Sequence, residues 1–399
     1  MKIAIASSGL GHITRGVEAW AQETFKALRE IKVDVELFGG PDWKGEGQSL
    51  FAFRRDSRIT RILARILPGF MWRWGLKSTY GWEQFSFWLA LWQKLSVNRF
   101  DILHVQDPMV AFWCRFFREH GLVRTREILA HGTEEPPWFL SQFPFVQHLS
   151  PWHLEHVREN IEEENVHFWY VIPNLVDTEI FKPCRKDEKI MARVKFGLPT
   201  HAFIVGTVSA VQKTHKRIDY AVEEFRRFVL LAGESAKVHF VIAGASTEES
   251  KQIKELVAGL PGITVLLNLP RADMPVLYNS MDVFVLCSLF EMQPMAILEA
   301  MSAGIPVILN KHPALEWVAG IGCVDEKPAG ISINMQLDDE LAKQLFAFYR
   351  EPGRLQEYSI FARLRAEKVF SRDIVASQML QMYREVMDYE AKESSIHFL

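Results

Sequence analysis

Two doubly wound α/β domains facing a central cleft are the fold this sequence predicts. Three observations predict it. Short apolar runs of strand length alternate with longer amphipathic stretches through most of the chain, the pattern of parallel strands joined by crossover helices. The stretch Asp282 to Leu309 reads as a complete strand–loop–helix–strand unit. The length of 399 residues suits about two or three domains. Hydrophobic residues make up 48% and charged residues 24%, a balance that permits large cores and excludes wholesale disorder.

In chain order, Lys2 to Ala6 is the first strand. The turn from Ser7 to Glu18 carries Gly9 and Gly11, and a helix follows to about Glu30. This is a partial match to Gly-x-Gly-x-x-Gly, with Thr14 in the third place. Glu36, expected near the end of the second strand, stands where a dinucleotide-binding domain keeps its ribose acid, so an NAD-dependent oxidoreductase stays among the readings. Residues 50 to 97 combine Arg54, Arg55, Arg58, Arg61, Arg65 and Arg73 with many aromatic side chains. Such a segment lies in a membrane interface, packs as helices over a sheet, or lines a cleft where sugar rings stack on tryptophan. Asp101 to Val105 is a strand, and a helix follows Pro108. The strand Ile128 to Ala130 ends in His131, which places an acid–base side chain at the carboxyl end of a strand, where open α/β sheets bind ligands. Ser150 caps the next helix.

The second half opens at Phe203 to Val208, a buried strand, followed by a basic turn with Lys213, Lys216 and Arg217. Strands are expected at Val238 to Gly244 and Ile263 to Leu267. Asp282 to Leu286 is the next, and Pro294 opens a helix where a missing amide costs nothing. Gly304 and Pro306 end that helix. Glu291 precedes it and Glu299 rides on it. Between them lie the unbonded first-turn amides of Met295 and Ala296, a seat for a phosphate with a carboxylate on either side. Helices are expected over 337–350 and 354–369, and from Arg372 to about Lys392.

Glu291-x7-Glu299 followed by Ala-Met-x-x-Gly-x-Pro-Val resembles the signature of the retaining family-4 glycosyltransferases of the group 1 type, which have the GT-B fold. Val171 to Pro183 is similar to that family's interdomain hinge. Glu291-Met-Gln-Pro294 stands where the family has Glu-Gly-Phe-Gly, and Ala210 where it has Arg. The resemblance implies that Glu291 and His131 contact the donor sugar, and that Glu299 binds the nucleotide ribose. Gly16, Lys216, Gln293, Met295 and Ala296 would complete the donor site, with Lys213 or Arg217 supplying the charge of the absent Arg. Gly16 matches the family's glycine beside the diphosphate, with Arg15 before it. The base would lie against Asn268 to Arg271. The domains implied are residues 1–183, with the helix 372–399 packing back on them, and 184–371.

The expected activity is transfer of a sugar, with retention, from a nucleotide-diphosphate donor to an acceptor hydroxyl, with no metal or other cofactor. The acceptor would be a glycan, a lipid-linked sugar or a small molecule, with a membrane surface as a further partner through residues 50–97. A glycoside hydrolase fits poorly, because Glu299 on a helix behind Glu291 frames a ligand and does not flank a glycosidic bond. A non-catalytic sugar-nucleotide-binding protein keeps the same fold. A net charge of −3 argues against a general nucleic-acid binder. Four scattered cysteines, no signal-peptide pattern and no run of about 18 uncharged apolar residues suggest a cytoplasmic protein, peripheral at most on the inner face of the cell membrane.

Overall fold

The computed structural model describes residues 1–13, 16–161, 168–324 and 326–396, with side chains to residue 389. Thr14 and Arg15 lie outside the described residues. The chain divides into two compact units, Met1–Leu175 with Arg372–Leu399, and Val176–Ser371. The division falls before Val176, not after Pro183. Val176 donates its amide to Phe370 O at 2.8 Å, and Phe181 is buried among the residues of the second unit, so the hinge-like segment belongs there from Val176 on.

The first unit is a seven-stranded sheet in the order β3-β2-β1-β4-β5-β6-β7, with every pairing parallel. The strands are β1 Lys2–Ser7, β2 Asp34–Gly39, β3 Gln48–Ser49, β4 Ile102–Val105, β5 Arg126–Ala130, β6 Phe145–His148 and β7 Phe168–Val171. Successive side chains of a strand face opposite ways. Ala4 and Ala6 join a core with Phe87, Trp88 and Leu91 of the helix Thr79–Asn98. Ile3 and Ile5 join the opposite core with Met379, Met382 and Tyr383 of the terminal helix Arg372–Ile396.

The second unit repeats the plan with six strands in the order β10-β9-β8-β11-β12-β13, again all parallel. They are β8 Phe203–Val208, β9 Val238–Gly244, β10 Ile263–Leu267, β11 Val283–Leu286, β12 Val307–Asn310 and β13 Gly330–Ile333. Val283 and Val285 face one core while Phe284 and Leu286 face the other. Strand order reverses between β1 and β4 in the first sheet and between β8 and β11 in the second. These are the switch points where the loops at the carboxyl ends diverge and leave room for a ligand.

Candidate active site

In the second unit, both loops at the switch point carry the residues singled out by sequence. The loop after β8 brings Lys216 onto the Glu291 carboxylate in a short ion pair, with only 16% and 10% of the two side chains exposed. His215 Nε2 sits 3.1 Å from Phe290 O and 3.9 Å from Glu291 Oε1. Glu291 is thus held by the Lys216 cation, and the carbonyl before it by the His215 ring, both from the neighbouring strand's loop. Asn310, buried at the end of β12, fixes this loop from below. Its Nδ2 donates to Leu289 O at 2.9 Å, and its Oδ1 accepts from Met335 N at 3.1 Å.

Pro294 caps the helix Met295–Ser302, and its first intrahelical bond runs from Ile297 N to Pro294 O. The amides of Met295 and Ala296 precede that bond and have no partner within the helix. Gln293 is buried beside them. Gly304 closes the helix at φ +71°, the left-handed region that glycine enters without strain. Glu299 is 2% exposed and pairs with Arg271, which comes from the segment after β10 and lies 5.1 Å over the Phe181 ring. Burial and the Glu299 carboxylate push the buried Tyr278 phenol well above its ordinary pKa.

The two candidate extra cations lie on the same turn as Lys216. Arg217, at φ +50°, donates Nη1 to Met335 O at 2.5 Å and lies 4.2 Å over the Tyr220 ring. The guanidinium is thus held by a carbonyl and a ring on its own side of the turn. The backbone of Lys213 donates to Glu249 Oε2 at 2.6 Å, and Thr214 Oγ1 to Glu249 Oε1 at 2.6 Å. Those bonds hold the Glu249 carboxyl below its usual range. They shape the basic turn, and the Lys213 side chain borders a groove with Tyr220 and Asp338. Sequence reasoning missed His215, Glu249 and Asn310, and it named Arg271 beside the base without its pairing to Glu299. His215 and Arg271 lie within quoted motifs, whereas Asn310 and Glu249 carry no local signal.

In the first unit, His131 follows β5 and is 5% exposed. Its Nδ1 lies 3.1 Å from His148 Nδ1, and its ring packs 5.7 Å from that of His153. One of the two Nδ1 atoms donates, so the pair shares a single proton along that contact. Burial, aided by the nearby His156, lowers the His131 pKa to about 4. On the same loop Glu135 accepts from Thr133 Oγ1 at 2.6 Å, and burial raises its pKa to about 7. Gly16 opens the helix Gly16–Glu30 with open space where a side chain would stand. Glu36 is mid-strand in β2, 3.5 Å from Lys2 Nζ and bonded to Gln48 at 2.7 Å, so it is not the strand-end acid a dinucleotide site requires.

The segment 50–97 divides in two. Phe87, Trp88, Leu91 and Leu95 are core, whereas Ile59, Ile62, Ile66, Phe70, Trp72 and Trp74 are exposed. Arg55 turns inward to clamp Glu83, with Nη2 2.6 Å from Oε1. Among the described residues no helix is long and apolar enough to cross a membrane, and no group of His, Cys, Asp and Glu is placed to hold a metal ion.

Two Rossmann-like units with these strand orders define the GT-B glycosyltransferase fold. The sucrose-phosphate synthase of Thermosynechococcus elongatus superposes at a TM-score of 0.77 over 98% of this chain and 100% of its own, at 16% identity. Anabaena HepE in complex with UDP and glucose gives 0.71 over 96% and 100%, at 15% identity. Residues 202–349, within the second unit, match the family model Glycosyl transferases group 1. The alpha-galactosylglucosyldiacylglycerol synthase of Streptococcus pneumoniae is 29% identical over 212 residues, 48% of this chain and 54% of that one. The UDP-Gal:alpha-D-GlcNAc-diphosphoundecaprenol alpha-1,3-galactosyltransferase of Escherichia coli is 31% identical over 142 residues, 35% and 36% of the two chains. This chain spans from about a third to somewhat over half of the length of the curated relatives it matches.

Proposed function

We propose that the protein transfers a sugar from a nucleotide-diphosphate donor to an acceptor hydroxyl, with retention of configuration. One observation carries this reading: the loops of the two switch-point strands in the second unit join through Lys216 and Glu291 beside the free amides of the Pro294 helix. The diphosphate lies at that helix start, where partial positive charge and unbonded amides favour it. Lys216 exchanges Glu291 for the departing phosphate, and Glu291 turns to the sugar hydroxyls. Stabilising the charge that grows on the leaving group is the principal chemical task. Glu299 exchanges Arg271 for the ribose hydroxyls. His131 acts on the first unit, held neutral by its burial at physiological pH. The acceptor hydroxyl attacks from the side the diphosphate leaves, which retains the anomeric configuration. Relatives named for a galactosylglucosyldiacylglycerol product and for a diphosphoundecaprenol-linked substrate support a lipid-linked acceptor, met by a cytoplasmic enzyme at the membrane surface.

The test is a thermal-shift screen with UDP-, GDP-, ADP- and dTDP-sugars, then a transfer assay with the donor that binds. At about a hundred times Kd, binding adds roughly 2.7 kcal/mol to stability, a clear rise in melting temperature. Lys216→Met is expected to lower kcat by roughly a hundred- to a thousand-fold, as removal of one charge-stabilising donor does. Glu291→Gln and His131→Ala are expected to abolish transfer. Lys216 and the helix amides neutralise the diphosphate, so activity is expected to survive EDTA. A donor that binds equally well to Glu299→Ala, or turnover that needs added divalent metal, would overturn this mechanism.

A further inference from the structure

We propose that the face built by Arg58–Ile66, Gly69–Trp74 and Trp138 is a docking surface for an anionic lipid bilayer. The helix Arg58–Ile66 turns the usual amphipathic arrangement inside out. Its one buried residue is polar: Thr60 donates Oγ1 to Arg54 O at 3.1 Å and Ser57 O at 3.0 Å. Ile59, Ile62, Leu63 and Ile66 recur at the spacing of a single helical face. Of these, Ile59, Ile62 and Ile66 are 52%, 57% and 68% exposed. The helical turns of Gly69–Trp74 extend the same chemistry with Phe70, Trp72 and Trp74, at 64%, 55% and 45% exposure. Trp138, from a different loop and 55% exposed, meets Trp72 edge to face at 6.4 Å. So many exposed large apolar side chains in one short segment mark a site of contact.

Charge selects the occupant. Residues 57 to 82 contain Arg58, Arg61, Arg65, Arg73 and Lys77 and no acidic residue. Among the described residues, none of these five forms an ion pair with a carboxylate, whereas Arg54 pairs with Asp42 and Asp56, and Arg55 with Glu83. Cations beside an exposed apolar stripe and tryptophans match the headgroup and acyl boundary of a bilayer containing acidic lipids. The face is rooted in the sheet. Glu83 accepts from the Arg55 amide at 2.9 Å and from Ser8 Oγ at 3.1 Å, and Tyr80 donates to Asp107 Oδ1 at 2.6 Å. Both ends of the exposed segment are therefore pinned to the loops after β1 and β4, at the carboxyl end of the strands, where His131 also follows β5. The inference rests on the lipid-linked acceptor reading for its purpose, while its test reads lipid contact without any transfer.

The experiment is co-sedimentation of the full chain with vesicles of phosphatidylcholine alone and of phosphatidylcholine mixed with phosphatidylglycerol, at low and high salt. Binding to the mixed vesicles alone is expected, weakening with salt. Each cation removed is expected to weaken partitioning about five-fold, and the triple change Arg58→Gln, Arg61→Gln and Arg65→Gln about a hundred-fold. Ile62→Ser with Ile66→Ser is expected to abolish binding. All five positions are exposed, and circular dichroism checks the fold. Equal binding to both vesicle types, binding unchanged in these variants, or no binding with a self-association that the variants remove, each overturns the proposal. If vesicles bind but the donor screen fails, docking stands and the transferase reading falls.

Discussion

At the scale of single residues, the loop after β5 sets a buried histidine against a partly buried carboxylate. His131 has a native pKa near 4, against 6.5 when unfolded. Between those values the unfolded chain binds more protons, so stability falls as pH drops. The buried His104, near 3, adds to the same loss, as does His148, also lowered by burial. Glu135, raised to about 7 from 4.5, has the opposite sign: the native state holds its proton longer, and stability falls as pH rises through that window. Glu135 therefore blunts the acid sensitivity that the histidines create. Glu135→Gln is expected to stabilise the first unit near neutral pH by on the order of 3 kcal/mol. It is also expected to steepen the loss below pH 6.5 by about one proton. Urea unfolding across that range measures this, followed by tryptophan fluorescence, since only Trp317 of the 12 tryptophans lies in the second unit. Parallel curves for variant and parent would mean that Glu135 is ionised in the native state. His131 was legible because it ends a strand in the sequence. Its partner His148 and the balancing Glu135 were not, since each gains its meaning from burial that no local pattern encodes.

At the scale of elements, the strand–helix alternation was legible almost throughout, because strands buried on both faces read as unbroken apolar runs. The Pro294 start and Gly304 stop of one helix were read from backbone chemistry alone. The amphipathic segment was ambiguous for a physical reason. An apolar stripe at helical spacing says that a face is apolar but not what covers it. The helix Thr79–Asn98 buries its stripe on the sheet, and Arg58–Ile66 leaves its own bare. The setting of the Glu291 loop was not legible either, because Asn310 acts across a strand crossing. Its two hydrogen bonds tie Leu289 O and Met335 N, on loops far apart in sequence, to one side chain. Asn310→Ala removes both partners from a buried place and is expected to cost about 2 kcal/mol. The looser Glu291 loop is expected to weaken donor affinity, and Asn310→Asp, which keeps the acceptor for Met335 N but sets a carboxylate against Leu289 O, is expected to weaken it at least as much. Calorimetric titration with the nucleotide found in the screen compares the two. Equal affinity in both variants and the parent would show that the loop holds its shape without Asn310.

At the scale of the whole molecule, the chain path decides which unit is self-contained. The second unit is one continuous stretch whose ends meet, with Val176 paired to Ser371 and the Val176 amide bonded to Phe370 O at 2.8 Å. It encloses two cores, one on each face of its sheet. The first unit is discontinuous. The terminal helix supplies Met379, Met382, Tyr383 and Val386, all buried against the strand residues Ile3 and Ile5. Tyr383 Oη lies 2.7 Å from the buried His104 Nδ1, and Arg372 bridges Glu23 and Glu30 of the first helix. Those four apolar side chains alone represent roughly 6 to 12 kcal/mol of burial. A whole domain is stable by only about 5–15 kcal/mol, so residues 1–175 cannot lose that helix and stay folded. The fragment 176–371 is expected to melt cooperatively and to bind the same nucleotide as the full chain, with Trp317, packed 5.8 Å from Phe370, as its fluorescent reporter. The fragment 1–175 is expected to lack a cooperative transition until a peptide of residues 372–396 is added in trans. A sharp melt of 1–175 alone would show that the terminal helix only decorates the sheet, and failure of 176–371 to fold would make the second unit dependent on the first.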